Sequence, residues 1–246
     1  MIKMYRENIY EILKATGEDI NILVIPKNTG LKGYGWQVLK EAGLRLDETA
    51  PLDKSTLSVD GLTLWLRRGE DIPQIVQNEF ENGKLVAGFS GDDLFDEYRL
   101  KNPRNTLKVE NTYDWFDRKA KYLRPALCFM GVYPTADSIP TDAIVAINGK
   151  YELTARQELA GNEKLKGRRF FVQVYNGDLE ATARSLDSCC IDTVYEGKTS
   201  SEFKLREYFD PIRFSDLVVI TPLRKYGQSL LEQKASEIPR GEIIQT

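Results

Sequence analysis

The sequence predicts an α/β protein built on parallel strands, and three observations carry that expectation. Between residues 21 and 100, three apolar runs each end in a polar loop that opens onto a helical pattern. Residues 170–205 repeat the theme as strand, helix, strand, glycine-containing loop and helix start. Residues 142–159 read as strand, Asn148-Gly149 turn and helix. In such folds ligands sit at the carboxyl ends of the strands, so the loops there are the first place to look for chemistry.

In chain order, residues 1–20 form an amphipathic helical arm, with Ile9, Ile12 and Leu13 on one side. A strand over 21–25 is ended by Pro26, and a glycine-rich loop from Lys27 to Gly35 carries Gly30 and Lys32. A helix over 36–42 follows, stopped by Gly43. The glycines at 30, 33 and 35 have the spacing GxxGxG, which is not the dinucleotide fingerprint GxGxxG. The strand over 62–66 leads to Arg67-Arg68, and then Asp71 caps a helix whose first turn holds Pro73. The strand over 85–89 delivers Ser90, Gly91, Asp92 and Asp93 as a turn onto the next helix. Residues 101–124 are charged and irregular and are expected as a connecting segment. Strands follow over 126–132 and 142–147.

In the 170–205 stretch, Asn176-Gly177-Asp178 ends the first strand with turn and cap chemistry before the helix-prone residues 179–186. The second strand, 189–194, runs into Tyr195, Glu196, Gly197, Lys198, Thr199 and Ser200, and Thr199 with Glu202 fits a capping box. A strand that delivers a loop onto a helix N-terminus presents unpaired N–H groups at the positive end of a dipole, a cradle for phosphate. Gly197-Lys198-Thr199 is also the tail of a P-loop signature, but the upstream glycine would fall at Asp192, so that motif is absent. A last strand over 215–221 and a helix over 229–235 complete the chain.

Composition narrows the chemistry. The 246 residues suffice for one large domain or two lobes of roughly 100 residues. With 41% hydrophobic and 29% charged residues the chain reads as soluble and globular. A net charge of −3 argues against a general nucleic-acid binder. No apolar run reaches the ~20 residues of a membrane span and no signal peptide opens the chain, so the expected location is the cytoplasm. Cys128, Cys189 and Cys190 form an odd set without CxxC spacing, which suggests neither a disulfide framework nor zinc; all three read as small buried strand residues. The chain contains no histidine, so histidine triads, proton shuttles and histidine-ligated metals are excluded. Any chemistry rests on Arg, Lys, carboxylates, hydroxyls and backbone.

The order of these motifs resembles the ATP phosphoribosyltransferase family. The family's strand, Pro-Lys-Gly-rich loop and leucine-rich helix are similar to VIPKNTGLKGYGWQVLKEAGLRLD at 24–47. Its Arg-x-x-Asp-Ile-Pro segment resembles 68–73, its GITGEDLL-type segment resembles GFSGDDLF at 88–95, and its Gly-Ser-Val-Glu helix start resembles GDLE at 177–180. Its Asp-x-Val-x-x-Gly-x-Thr phosphate loop resembles DTVYEGKT at 192–199. The matches stay co-linear from about residue 22 to 220. Tyr195 and Glu196 depart from the family's pattern and set bulk and negative charge beside the phosphate loop.

The resemblance implies a two-lobed type II periplasmic-binding-protein-like fold with a ligand cleft between the lobes. Residues 21–100 plus 215–246 would form lobe one, and 125–214 lobe two. It implies transfer of a phosphoribosyl group from phosphoribosyl pyrophosphate to N1 of ATP, with Mg²⁺ on the pyrophosphate, as the first step of histidine biosynthesis. Other acceptors, or anion binding without catalysis, are the alternatives. Lys27 and Arg68 would neutralise pyrophosphate as catalytic cations. The 5-phosphate would sit on Gly197, Lys198, Thr199 and Ser200, beside Glu196, and the ribose hydroxyls on Glu180 and Asp192. Gly30, Lys32, Ser90, Gly91 and Asp92 would complete the substrate site. The chain resembles the family's short form, which works as an oligomer with a histidyl-tRNA-synthetase-like regulatory subunit.

Overall fold

The structure, a computed structural model, describes residues 20–27, 29–45 and 55–223. The expected arm over 1–20, apart from Ile20, and the expected helix over 229–235 lie outside the described residues.

Two six-stranded sheets form two lobes. In the first, β1 (Ile22–Pro26) lies between β3 (Leu62–Arg67) and β4 (Val86–Gly91), all parallel. The edge strand β2 (Thr56–Val59) joins β3 through a two-residue Asp60-Gly61 turn. Both turn residues have positive φ, 48° and 82°, as a hairpin of this length requires. That dipeptide was the local signal for a strand that the periodicity of the sequence does not show.

The stretch 101–124, expected as a connector, instead contains β5 (Leu107–Tyr113) as the far edge of the first sheet. Of its seven residues only Leu107 is buried, and Lys108, Glu110, Asn111 and Thr112 are polar, so charge masked the strand. Between β5 and β4 runs β12 (Leu217–Pro222), antiparallel to both.

The second sheet has the order β10 (Arg206–Glu207), β6 (Ala126–Gly131), β9 (Cys189–Val194), β7 (Ala143–Asn148), β8 (Phe170–Tyr175), with β11 (Arg213–Phe214) also on β6. Here β7, β8 and β9 are parallel and β6 is antiparallel. The central antiparallel strand of each lobe, β12 or β6, arrives directly from the other lobe. The chain therefore crosses twice, at residues 114–125 and 215–216.

Helices cover these sheets where apolar side chains recur on one face. The first, α1 (Thr29–Glu41), begins seven residues earlier than expected. Its glycines read as a loop, but Gly35 lies against Phe89, where an added Cβ would stand 3.3 Å from the ring. The helix buries Leu31, Val38 and Leu39. Tertiary burial thus outweighs a helix penalty of about 1 kcal/mol per glycine. At its end Gly43 turns to φ +97° and the Leu44 N–H reaches the Leu39 carbonyl at 3.1 Å, as the expected C-terminal stop requires.

A second helix, α2 (Ile72–Glu81), holds Pro73 in its first turn, but Asp71 makes no side-chain cap because a short 3-10 turn over Gly69–Asp71 precedes it. Then come α3 (Asp92–Lys101), α4 (Glu152–Gly161) and α5 (Leu179–Ser185), the last capped by Asp178 Oδ1 accepting from the Ala181 N–H at 2.9 Å, as expected. Among the described residues no helix is long and apolar enough to cross a membrane.

The contact of α2 with the first sheet is close. A Cβ on Gly88 would fall 2.6 Å from Ile72 Cγ2 and 2.9 Å from Val76 Cγ2, both on side chains stiff at χ1. Gly88→Ala is expected to destabilise the protein by about 2 kcal/mol through overpacking. Denaturant unfolding checks this; an unchanged midpoint would mean that α2 shifts freely.

The lobes are tied together on the side of α3. Glu97 on α3 is buried, and its carboxylate accepts from the Leu153 and Thr154 N–H groups and the Thr154 hydroxyl, all in the first turn of α4 in lobe two. Lys101 pairs with Glu97 at 3.0 Å and donates to the Gly149 carbonyl. At the crossings Asp216 accepts from the Trp115 N–H and pairs with Arg124, so one carboxylate holds both connections.

Candidate functional site

The carboxyl ends of β1 and β4 in one lobe and of β7 and β9 in the other converge on a cavity of about 1050 Å³. Lobe one contributes Gly30, Leu31 and Tyr34 at the start of α1, and Gly91, Asp93 and Leu94 at the start of α3. Lobe two contributes Lys150, Tyr151, Thr193, Tyr195 and Glu196. The first crossing adds Trp115, Phe116, Asp117, Arg118 and Lys119. This is where a crevice between open α/β sheets takes its ligand.

Two chains of contact span the cavity. On one side the Tyr151 hydroxyl donates to Asp93 Oδ2 at 2.7 Å and accepts from Thr193 Oγ1 at 3.2 Å. Burial raises the Asp93 carboxyl above its ordinary 3.8, although hydrogen bonds from Ser215, Tyr151 and the Leu94 N–H oppose the shift. On the other side Tyr34 stacks on Trp115 at 5.5 Å, and Trp115 meets Tyr195 at 6.3 Å. The Tyr195 hydroxyl donates to Asp117, and burial with that neighbour pushes its pKa up to about 12.

The sign of the Asp93 shift makes a prediction. A carboxyl raised in the folded state contributes stability that is fully present below 3.8 and lost as pH rises through the folded pKa. Asp93→Asn is near-isosteric and does not titrate, so its Tm should gain on wild type as pH rises above about 4. A Tm difference constant from about pH 3 to 8 would show that Asp93 ionises as it does in the unfolded chain.

The structure gathers the sequence-expected residues into two groups. In lobe one, the parallel register sets Pro26 opposite Arg67, so Lys27 and Arg68 lie side by side, and the Lys27 N–H donates to the Arg67 carbonyl at 2.7 Å. Both side chains are exposed, and among the described residues they have no ion pair and the buried Oε2 of Glu70, a sequence neighbour of Arg68, has no partner. They stand at the strand ends without lining the cavity, whereas Gly30 and Gly91 do line it. Gly91 is required there: a Cβ would lie 2.3 Å from Asp93 Oδ1.

Lys32 is half-buried on α1, and Ser90 is fully buried with a hydroxyl that has no partner among the described residues. Asp92 faces the hinge instead of the cavity. Its Oδ1 accepts from the Asp216 N–H, and its Oδ2 pairs with Arg213 at 3.3 Å.

In lobe two, Glu180 and Asp192 are neighbours, and burial together with mutual repulsion raises Glu180. Burial likewise raises Asp192, against a hydrogen bond from the Thr193 N–H and the charge of Lys150. Both lie on the α5 face of the sheet, while Thr193, Tyr195 and Glu196 line the cavity.

The expected capping box is absent. The helix α6 (Lys198–Glu202) starts directly after Gly197, which caps it in the left-handed region at φ +72° without a side-chain bond. The hydroxyls of Ser200 and Ser201 fold back onto the Gly197 carbonyl. Lys198 pairs with Glu196, and the stem of Lys121 lies over Gly197, 3.1 Å from where a Cβ would stand. The N–H groups of residues 198–200 keep the first-turn orientation that suits an anion.

Residues 115–119, Lys150 and Tyr151 were not singled out by sequence; an aromatic pair followed by Asp-Arg-Lys in a polar stretch was the only signal. The three cysteines are buried, and burial pushes Cys128 and Cys189 up to about 12 and Cys190 upward, so none is a thiolate at neutral pH.

No protein-family model and no curated protein matches the chain. Among solved structures it is similar to the ATP phosphoribosyl transferase (HisG:HisZ) complex from Thermotoga maritima. The TM-score is 0.59 at 17% identity, over 88% of this chain and 94% of that one. It is more distantly similar to the alkanesulfonate-binding protein SsuA from Xanthomonas axonopodis pv. citri bound to MOPS, with TM-score 0.47 and 9% identity over 82% and 64% of the chains. The CcmR regulatory domain of Synechocystis PCC6803 in complex with 2-PG gives 0.42 and 12% over 88% and 93%. The chain thus has the two-lobed, type II periplasmic-binding-like α/β fold that it shares with the Thermotoga maritima protein, with the cavity between its lobes.

Proposed function

We propose that this protein is a phosphoribosyltransferase that joins C1′ of phosphoribosyl pyrophosphate to N1 of ATP, breaking the C1′–O bond and releasing pyrophosphate. The observation that carries this reading is the convergence of four strand ends from two lobes on one cavity, with Lys27 and Arg68, which make no ion pair among the described residues, at lobe one's strand ends and the neighbouring carboxylates Glu180 and Asp192 in lobe two. The co-linear motifs and the fold shared with an ATP phosphoribosyl transferase support it. The reaction requires little protein acid–base chemistry, because a ring nitrogen attacks and a charged group leaves. Holding two polyanions in register and stabilising growing negative charge is the work of fixed cations and N–H groups.

In this reading the N–H groups of Lys198, Thr199 and Ser200 take the 5-phosphate, and Glu180 and Asp192 accept from the ribose hydroxyls. Lys27 and Arg68 meet pyrophosphate. Among the described residues no group of three or more His, Cys, Asp or Glu could hold a metal ion. Mg²⁺ would enter on the pyrophosphate oxygens and neutralise the leaving group. A histidyl-tRNA-synthetase-like regulatory subunit and a homo-oligomeric assembly belong to the same proposal.

The test is to incubate the protein with ATP, phosphoribosyl pyrophosphate and Mg²⁺, with and without a histidyl-tRNA-synthetase-like subunit, and to seek phosphoribosyl-ATP by mass spectrometry. Product is expected; its absence in both arms overturns the reaction. A second reading, anion or nucleotide binding without transfer, is favoured by one observation. Lys121, Lys198 and the serine hydroxyls already engage the Gly197 turn. Ligand-dependent thermal stabilisation without product would support it.

A further inference from the structure

We infer that the first interlobe crossing is a nucleotide grip, in which Phe116 stacks on a planar base and Arg118 and Lys119, with Lys150 opposite, hold its phosphates. This deepens the proposed reaction and rests on its nucleotide substrate, since it assigns that substrate to a segment outside the phosphate loop.

The argument begins with two adjacent aromatics of opposite fate. Trp115 is 7% exposed, locked between Tyr34 and Tyr195, with its N–H on Asp216. Phe116 is 59% exposed and lines the cavity, with no aromatic partner among the described residues. An apolar ring held exposed to water carries a free-energy cost that stacking a base on it removes.

Charge decides what else the ligand carries. The acids lining the cavity are already engaged: Asp93 by Tyr151, Asp117 by Tyr195 and the Lys119 N–H, and Glu196 by Lys198. The cations are held more loosely: Arg118 and Lys119 make no ion pair among the described residues, Lys119 acts on Asp117 only through space, and the Lys150 ammonium lies over the Tyr151 ring at 5.0 Å and acts through space on Asp192. With Glu196 paired to Lys198, the cations Arg118, Lys119 and Lys150 outnumber the lining carboxylates Asp93 and Asp117, whose bonded partners are neutral, so the balance beside the exposed ring is positive, which fits a flat base bearing phosphates. At about 1050 Å³ the cavity has room for a ligand of that size.

The experiment titrates ATP, adenosine and inorganic triphosphate calorimetrically into wild type, Phe116→Ala and the double variant Arg118→Gln/Lys119→Gln, without phosphoribosyl pyrophosphate. All three side chains are exposed, so the variants should fold as wild type does. Wild type is expected to bind ATP more tightly than either fragment. Phe116→Ala should weaken ATP and adenosine by about tenfold and leave triphosphate unchanged. The glutamine pair should weaken ATP and triphosphate by about tenfold, more at low salt, and leave adenosine unchanged. Wild-type ATP affinity in both variants, or no ATP binding to wild type, overturns the grip. ATP binding that depends on Phe116, Arg118 and Lys119 without transfer overturns the reaction alone; transfer with ATP affinity indifferent to these residues overturns the grip alone.

Discussion

Truncating Glu97 to alanine is expected to lower the unfolding free energy by about 3 kcal/mol and Tm by roughly 6–12 °C. Glu97 is 2% exposed and joins the lobes through one carboxylate. Removing it leaves the N–H groups of Leu153 and Thr154 without their acceptor at the α4 N-terminus and Lys101 with only the Gly149 carbonyl in place of its ion pair. Hydrogen bonds to charged groups are each worth about 1.5–3 kcal/mol, and a carboxylate also favours a helix N-terminus. Burial by itself would raise the Glu97 carboxyl, but the bonds from Leu153, Thr154 and Lys101 more than offset it, and its pKa lies below the ordinary 4.5.

A depressed carboxyl contributes stability above its unfolded pKa that is lost as pH falls through the folded value. The gap between wild type and Glu97→Ala should therefore be full above about pH 4.5 and narrow in more acidic solution. Because the carboxylate is buried, 1 M salt should leave most of the gap intact. A gap below about 0.5 kcal/mol at neutral pH would mean that the lobes do not depend on this clasp.

Arg68→Ala is expected to cut turnover about 100-fold in the proposed transfer while leaving stability within about 0.5 kcal/mol of wild type. The residue is exposed beside Lys27 and makes no ion pair among the described residues, so none of those groups consumes its charge. Arg68→Lys should recover part of the rate, since it keeps a point charge but loses the two-pronged geometry. Single-turnover kinetics with saturating substrates are the check. Wild-type turnover in Arg68→Ala would remove Arg68 from catalysis and leave the crossing's own cations, Arg118 and Lys119, as those nearest the reacting groups.

Local signals read well wherever a residue's role depends on its immediate neighbours. Asp178 caps α5 and Gly43 stops α1, since a short side chain or a missing Cβ acts within one turn. The parallel strands of both lobes were legible as apolar runs, and with them the alignment of Lys27, Arg68 and Gly91 at strand ends. The start of α1 was not legible, because Gly35 belongs to a helix only where Phe89 lies beneath it. Asp92 read as a turn acid next to substrate, yet Arg213 and Asp216, more than 120 residues away, claim it for the hinge.

The sequence by itself determined the fold class, the strand ends that point toward the cavity between the lobes and the exclusion of histidine mechanisms, because these follow from periodicity, turn chemistry and composition. Only the tertiary structure decided which side chains share the cavity. Tyr34, Trp115, Tyr151 and Tyr195 come from four separate segments, and no local pattern records a contact between them. Tertiary structure also decided which charges remain free, since an ion pair such as Arg213–Asp92 forms only after both lobes have packed. Charge in a sequence is counted residue by residue, whereas the field in a cavity is set by the charges that folding leaves uncompensated.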